Sequence, residues 1–210
     1  FIRELAEDDE GILKAVPRKS RASIRNGYKK FNLSVRHDMD LDLMYRLYSI
    51  NKRNLGSPVY PKRFFEHLVY EFGEEAGMLS VYWEDKPVSS VLYFWFGDTV
   101  VPYFSGADKR YYRTNGNNVM YYELMKHAVR RGKRVFDFGR SRIGTGAADF
   151  KENMGFEPKP LHYYFYSPRE TEVPDISPSN SSFSLAIELW SRLPVPIANL
   201  IGPQIVKLIP

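Results

Sequence analysis

Cysteine is absent from the 210 residues. That excludes a disulfide framework, a thiolate zinc site and a cysteine nucleophile, and it agrees with a reducing compartment. Long apolar runs are absent too: no stretch reaches the roughly 18 residues that a membrane-spanning helix needs. The pattern of a signal peptide, a basic start followed by an apolar stretch, is not visible. These gaps favour a cytoplasmic location. Histidine is scarce, and His37, His67, His127 and His162 follow no ligand spacing, so no metal site is expected. Acidic residues are missing from one segment. Between Lys14 and Arg36 stand eight basic side chains (Lys14, Arg18, Lys19, Arg21, Arg25, Lys29, Lys30, Arg36) and no acidic one, in a chain of net charge +5. Such a block suits an anionic partner (a phosphate-bearing precursor, a nucleotide or RNA) held by charge rather than by base reading.

What is present is enough for a core: 43% hydrophobic residues, 15% aromatic. The pattern predicts a helix from Pro17 to about Lys30, with Arg18, Arg21 and Arg25 on one face. Asp38 and Asp40 can cap a second helix ending near Asn54, and Pro61 opens a third that Gly73 stops. The period then changes. Residues 78–83, 88–96 and 100–104 are rich in β-branched and aromatic side chains and are separated by short turns, so they predict three antiparallel strands. A helix over 116–131, capped by Thr114 or Asn115, leads to a strand over 134–138, a glycine-bearing loop to Gly146, a short helix over 147–154 and a last strand over 161–166. The fold class expected is α+β (α/β): an antiparallel meander followed by a β-α-β crossover, a mixed sheet flanked by helices. The expected organisation is a lead-in over 1–16, one domain over 17–166, a Ser/Pro-rich linker over 167–184, and an apolar C-terminal tail over 185–210 broken by prolines. Since the first residue is Phe1, the chain reads as the continuation of a longer protein whose upstream lobe is missing.

Several motifs fail. Asp137-Phe138-Gly139 lacks the rest of a kinase set. Ser141 misses the last glycine of a nucleophile elbow, and Gly144-x-Gly146 lacks both the lysine of a Walker loop and the third glycine of a dinucleotide fingerprint. What stands out is the run from Val135 to Phe156. A strand ending at Asp137 meets a loop holding Gly139, Arg140, Ser141, Arg142, Gly144 and Gly146, and a short helix with Phe150, Lys151 and Gly155 follows. Ligands of open α/β sheets sit beyond the carboxyl ends of strands, where glycine loops expose N–H groups to anions. The other reading of the loop is a tight turn with solvated arginines.

Several stretches carry a family resemblance. They are Pro17-Arg18-Lys19-Ser20-Arg21, Leu55-Gly56-Ser57-Pro58, Val101-Pro102-Tyr103-Phe104-Ser105-Gly106 and the run from Asn115 to Leu124. Phe136-Asp137-Phe138-Gly139-Arg140-Ser141, Phe150-Lys151-Glu152-Asn153-Met154-Gly155-Phe156 and Trp190-Ser191-Arg192-Leu193-Pro194 with Gly202-Pro203 complete the set. In order and spacing the chain resembles the C-terminal half of Fem-type peptidoglycan aminoacyltransferases, most closely Fem-like proteins of PEP-CTERM/exosortase and exopolysaccharide systems. The resemblance implies a GNAT-like lobe, one of two in tandem, that transfers an aminoacyl group to an amine or hydroxyl of a cell-wall or exopolysaccharide precursor. It implies no bound cofactor, with aminoacyl-tRNA or an acyl-CoA as donor. It places Lys151 at the reacting acyl group or a substrate phosphate, with Met154 replacing the family's second Phe.

Acyl transfer needs two aligned substrates and a stabilised oxyanion. Lys151 and backbone N–H groups are candidates for the second task; Asp137, Tyr103 and Glu123 are candidates for moving a proton, each with a plain structural alternative. Candidate binding residues are Arg18, Arg21, Arg25, Asn115, Gly116, Asn118, Tyr121, Gly139, Arg140, Ser141, Gly144, Gly146 and Phe150. Where coenzyme A-dependent relatives carry a glycine-rich cradle for a pyrophosphate, this chain reads Arg113-Thr114-Asn115-Gly116-Asn117-Asn118, with one glycine. That disfavours acetyl-CoA, although Gly116 at a helix N-terminus still suits a phosphate. The tail can pack on the sheet or the upstream lobe, or touch the inner face of a membrane peripherally. Two alternatives to Fem-type transfer stay open: an acyl-CoA-dependent N- or O-acyltransferase, and a catalytically silent lobe that binds a glycan-lipid precursor or RNA.

Overall fold

The computed structural model of the protein describes residues 1–164, 166 and 184–207. In chain order its elements are β1 (Ile2–Glu4), α1 (Asp9–Ala15), α2 (Arg18–Lys29), β2 (Ser34–Arg36), α3 (Leu41–Asn54), α4 (Lys62–Phe72), β3 (Ala76–Trp83), β4 (Lys86–Phe96) and β5 (Thr99–Ala107). A 3-10 turn, Lys109–Thr114, leads into α5 (Gly116–Arg130), β6 (Val135–Asp137), α6 (Gly146–Asn153), α7 (Ser184–Arg192) and α8 (Val195–Val206). Among these residues one sheet of six strands runs in the order β1-β6-β5-β4-β3-β2. Its strands pair antiparallel except β5 and β6, which are parallel and joined through α5. The expected mixed sheet, a meander plus a crossover, is what the chain forms.

Both faces of the sheet are covered. Leu79, Val91, Tyr93, Trp95 and Val100 pack with Ile12, Ile24, Val119 and Leu124 from α1, α2 and α5. Met78, Leu92, Phe94 and Phe104 pack on the other face with Met44, Tyr48 and Phe65 from α3 and α4. Polar caps set the helix starts: Asp8 accepts from the Gly11 N–H at 2.6 Å, and Asp40 from the Leu43 N–H at 2.9 Å. Gly106 lets α3 lie directly on β5, because a Cβ there would overlap the Leu47 carbonyl carbon and the Tyr48 nitrogen.

Two differences from the sequence expectation matter. Residues 1–16, read as a lead-in, supply β1 and α1, with Ile12 and Val16 buried. Arg3 of β1 donates to the Gly155 carbonyl at 3.0 Å and lies 4.4 Å over the Phe156 ring, satisfying carbonyls just past the end of α6. Residues 161–164 and 166, read as a last strand, are not a strand. The edge of β6 that a further strand would use is already occupied, since Ile2 pairs with Asp137 and Glu4 with Val135. The linker read over 167–184 lies, except for Ser184, outside the described residues. The tail beyond it forms two helices seated on α3, where Arg53 donates to the Ser191 carbonyl at 2.9 Å.

Candidate active site

The site begins with a mismatch of strand lengths. β5 pairs with β6 only at Thr99–Val135 and Val100–Phe136, then runs on for seven residues while β6 ends one residue later. A gap opens between the rest of β5 and the loop after β6. Three rings fill its floor: Tyr121 from α5 stands 4.6 Å from Phe138 and 5.6 Å from Phe150. The Tyr121 hydroxyl donates to Ser105 Oγ of β5 at 2.9 Å, and burial pushes its pKa up, so it stays a neutral donor. One bulge borders the gap, and a second lies on β4. Leu92 pairs with Phe104 but Tyr93 with Pro102, which leaves Tyr103 as the extra residue of β5; Val81 pairs with Ser89 but Tyr82 with Pro87, which leaves Val88 as the extra residue of β4. Bulges re-aim side chains next to active sites. Tyr103 is turned out to solvent at 66% exposure beside the gap.

Beside it lies a cleft of about 260 Å³ at the N-terminus of α5, lined by Val88, Ala107, Tyr111, Tyr112, Asn115, Gly116, Asn117, Asn118 and Phe150. Asn115 takes the left-handed conformation (φ +62°) and makes no side-chain cap. The first N–H groups of the helix have no partner within the helix. Gly116 permits a close approach here: a Cβ would stand 2.7 Å from Val88 Cγ2, and Val88 would have to give way. Next to that point the fully buried Ser89 Oγ has no hydrogen-bond partner among the described residues. The Asn118 amide reaches Met154 Sδ at 3.4 Å and ties the cleft to the chain after α6.

The loop after β6 is held from inside. Asp137 Oδ1 accepts from the Gly139 N–H at 2.7 Å, and Gly139 (φ +68°) makes the turn. Lys151, only 9% exposed, donates to the carbonyls of Phe138 at 2.6 Å, Arg140 at 3.1 Å and Gly139 at 3.3 Å. Burial pulls its ammonium down to about 8, against the nearby Asp137 carboxylate, which acts to raise it. Its three N–H bonds are thereby committed, so contact with a substrate oxygen requires exchanging one of them. Arg140 points outward and donates to the Tyr163 hydroxyl at 2.9 Å.

The structure therefore gathers Tyr103, Asn115, Gly116, Asn118, Tyr121, Asp137, Gly139, Arg140, Phe150 and Lys151 around the gap and cleft. Ser141, Gly144 and Gly146 lie on the loop and at the first position of α6. Others sit elsewhere. Glu123 is bonded to the Tyr28 hydroxyl and to Lys126 at 2.8 Å, within the contact between α2 and α5. Arg21 is spent on the carbonyls of Lys14 and Val16, closing the end of α1, whereas Arg18 and Arg25 are exposed. Packing also makes groupings the sequence did not reveal. Trp83 meets Phe31 and Tyr111 edge to face at 6.0 Å, Arg113 lies 5.4 Å and Lys86 5.6 Å over its ring, and Lys30 lies 5.5 Å over Phe31. This basic and aromatic rim leads from the end of α2 to the cleft. No linear spacing marks it, because three separate segments meet there. His37 and His127 likewise meet ring to ring at 4.4 Å, tilted by 46°. Among the described residues no group of three ligating side chains could hold a metal.

The short parallel pair, the bulge on the longer strand and the uncapped helix start all lie within the part of the chain that matches the GNAT domain family. The chain belongs to that family: the model of the acetyltransferase (GNAT) domain matches residues 18–152. FemX, a Fem-type peptidoglycan aminoacyltransferase, has the same fold at TM-score 0.67 and 16% identity, over 73% of this chain and 57% of FemX. The chain thus spans little more than half the length of FemX. An aminoglycoside acetyltransferase from an uncultured soil metagenomic sample matches at TM-score 0.50 in complex with trehalose and 0.51 with sisomicin. In each case the identity is 13%, over 67% of this chain and 99% of that one. No curated protein shows significant sequence similarity to this chain.

Proposed function

We propose that the chain is the acyl-transferring lobe of a Fem-type enzyme. It would take an aminoacyl group from aminoacyl-tRNA and pass it to an amine or hydroxyl of a cell-wall or exopolysaccharide precursor. The observation that carries this reading is the rim running from α2 to the cleft. Exposed cations lying over half-buried rings suit an unpaired RNA end, with phosphates meeting Lys30, Lys86 and Arg113 and bases displacing the cations from the ring faces. The exposed Arg18 and Arg25 extend the basic surface for the rest of the RNA.

The acceptor nitrogen attacks the ester carbonyl carbon, the carbon–oxygen bond to the ribose breaks, and the acceptor's proton passes to the leaving oxygen. In this reading the protein acts mainly by alignment, which supplies much of the barrier reduction when two substrates must meet. Lys151 and Asp137 hold the loop that walls the gap. Tyr103 presents the exposed hydroxyl beside it, and unpaired N–H groups at the start of α5 face the donor. A second reading, an acyl-CoA-dependent N- or O-acyltransferase, is favoured by the cleft itself, where the first N–H groups of α5 and the side chains of Asn115, Asn117 and Asn118 line a space for a phosphate-bearing thioester ligand.

Binding of charged tRNA and of acetyl-CoA, each over a salt series, separates the two. The expected result is tRNA binding that weakens with salt and no saturable acetyl-CoA binding. Arg18→Ala and Arg25→Ala should each lower the salt slope by about 1. Acetyl-CoA binding without tRNA binding would replace the first reading with the second. Binding of neither would leave a silent lobe.

A further inference from the structure

Helix α8 is built inside out. Its small residues Ala198 and Gly202 are buried, Gly202 against Val59, while the bulky Ile197, Leu200, Ile201 and Ile205 are exposed, Leu200 at 76%. α7 adds exposed Leu185 and Leu189. A helix that faces water does the opposite, turning its bulky apolar side chains to the core. No Asp, Glu, Lys or Arg occurs from Val195 to Val206. The stripe is not free to turn inward. Arg53 holds the Ser191 carbonyl, Ile187 fills the space beside Gly56, and Val59 abuts Gly202.

Charge indicates what covers the stripe. The two helices and the residue that ends them carry two cations, Arg192 and Lys207, and one acid. The acid, Glu188, is already paired with Arg192 at 2.5 Å, and among the described residues Lys207 meets the neutral Gln204. Cations at both ends of an uncharged apolar face match anionic headgroups around an acyl boundary. At about 1.5 Å per residue α8 is roughly 18 Å long, short of the ~30 Å hydrocarbon core, so it would lie in the interface plane rather than cross. Among the described residues no helix is long and apolar enough to cross a membrane. We propose that the α7–α8 segment is an interfacial anchor that seats the protein on an anionic lipid surface.

This proposal does not depend on the identity of donor or acceptor. The test is co-sedimentation of the full chain with phosphatidylcholine vesicles, with and without phosphatidylglycerol. The expected result is strong binding to the mixed vesicles, weaker binding without phosphatidylglycerol, and at least about a tenfold loss for the double variant Leu200→Asp, Ile201→Asp. Both side chains are exposed, so its melting temperature should match the parent. The double variant Arg192→Gln, Lys207→Gln should lose the preference for phosphatidylglycerol. Parent protein left in the supernatant with both vesicle types would overturn the proposal, as would aspartate variants that bind like the parent. A concentration-dependent dimer that the aspartates dissolve, without vesicle binding, would assign the stripe to a second copy instead.

Discussion

Lys151 meets three carbonyl oxygens within 3.3 Å, and a neutral amine has only two N–H bonds to offer them. Burial brings its pKa to about 8, so the clamp on residues 138–140 should lose a donor as pH rises through that value. If the loop walls the active gap, turnover falls above about pH 8. Stability moves the other way. The folded pKa lies below the ordinary lysine value near 10.4, so between about pH 8 and 10 the folded chain binds fewer protons than the unfolded one, and this group's contribution rises with pH. A rate–pH profile set beside a melting–pH profile checks this divergence. Lys151→Met should lower turnover by at least about tenfold, and Lys151→Arg should not rescue it, because a planar fork cannot converge on three carbonyls. His127 behaves differently. Burial first, then His37 and the nearby Arg131 and Arg130, hold its pKa down to about 4, below the ordinary 6.5. The stability it contributes is complete above pH 6.5 and is lost as pH falls towards 4. Melting curves of the parent and of His127→Gln should converge in that acid range. The sequence singled out Lys151 through its resembling motif. It could not show that the lysine's partners are backbone carbonyls, nor that two histidines 90 positions apart touch, because neither fact leaves a mark on local spacing.

Helices α2 to α5 announce themselves through caps, prolines and apolar period, and their observed ends fall within a residue or two of the expected ones. The three-residue strands β1 and β2 do not, since three residues carry too short an alternation to register. The bulges are invisible for a related reason: an extra residue looks like any other until a partner strand shows the count. Glycines within elements are where close approach matters most. Gly106→Ala should destabilise the protein by roughly 3 kcal/mol or more, since the clash is with α3 backbone that cannot step aside, and urea unfolding would measure it. Gly116→Ala should push Val88 into the cleft and weaken donor binding while costing less stability, because a side-chain methyl can yield. Equal losses of stability in the two variants would contradict this contrast between backbone and side-chain neighbours.

At the scale of the molecule, the crossover between β5 and β6 and the meander before it were legible, because short turns join antiparallel strands and a helix must join parallel ones. How the ends of the chain join the body was not. Arg3 links β1 to the end of α6 across more than 150 residues. Arg3→Ala should therefore lower the melting temperature and loosen α6, and hydrogen exchange at residues 146–156 would rise more than exchange in α3. The bulge at Tyr103 has a consequence for inheritance as well as for geometry. Val100 and Phe104, four apart on one strand, face opposite cores because one residue between them does not count in the pairing. Substitutions at Tyr103 alter what the strand presents. Deletion of that one codon takes out the residue that the pairing skips, so Pro102 and Phe104 become regular neighbours and Phe104 still meets Leu92 on its own side of the sheet. This stretch of β5 can therefore shorten by that one residue without turning Phe104 out of its core, and what it loses is the outward hydroxyl beside the gap.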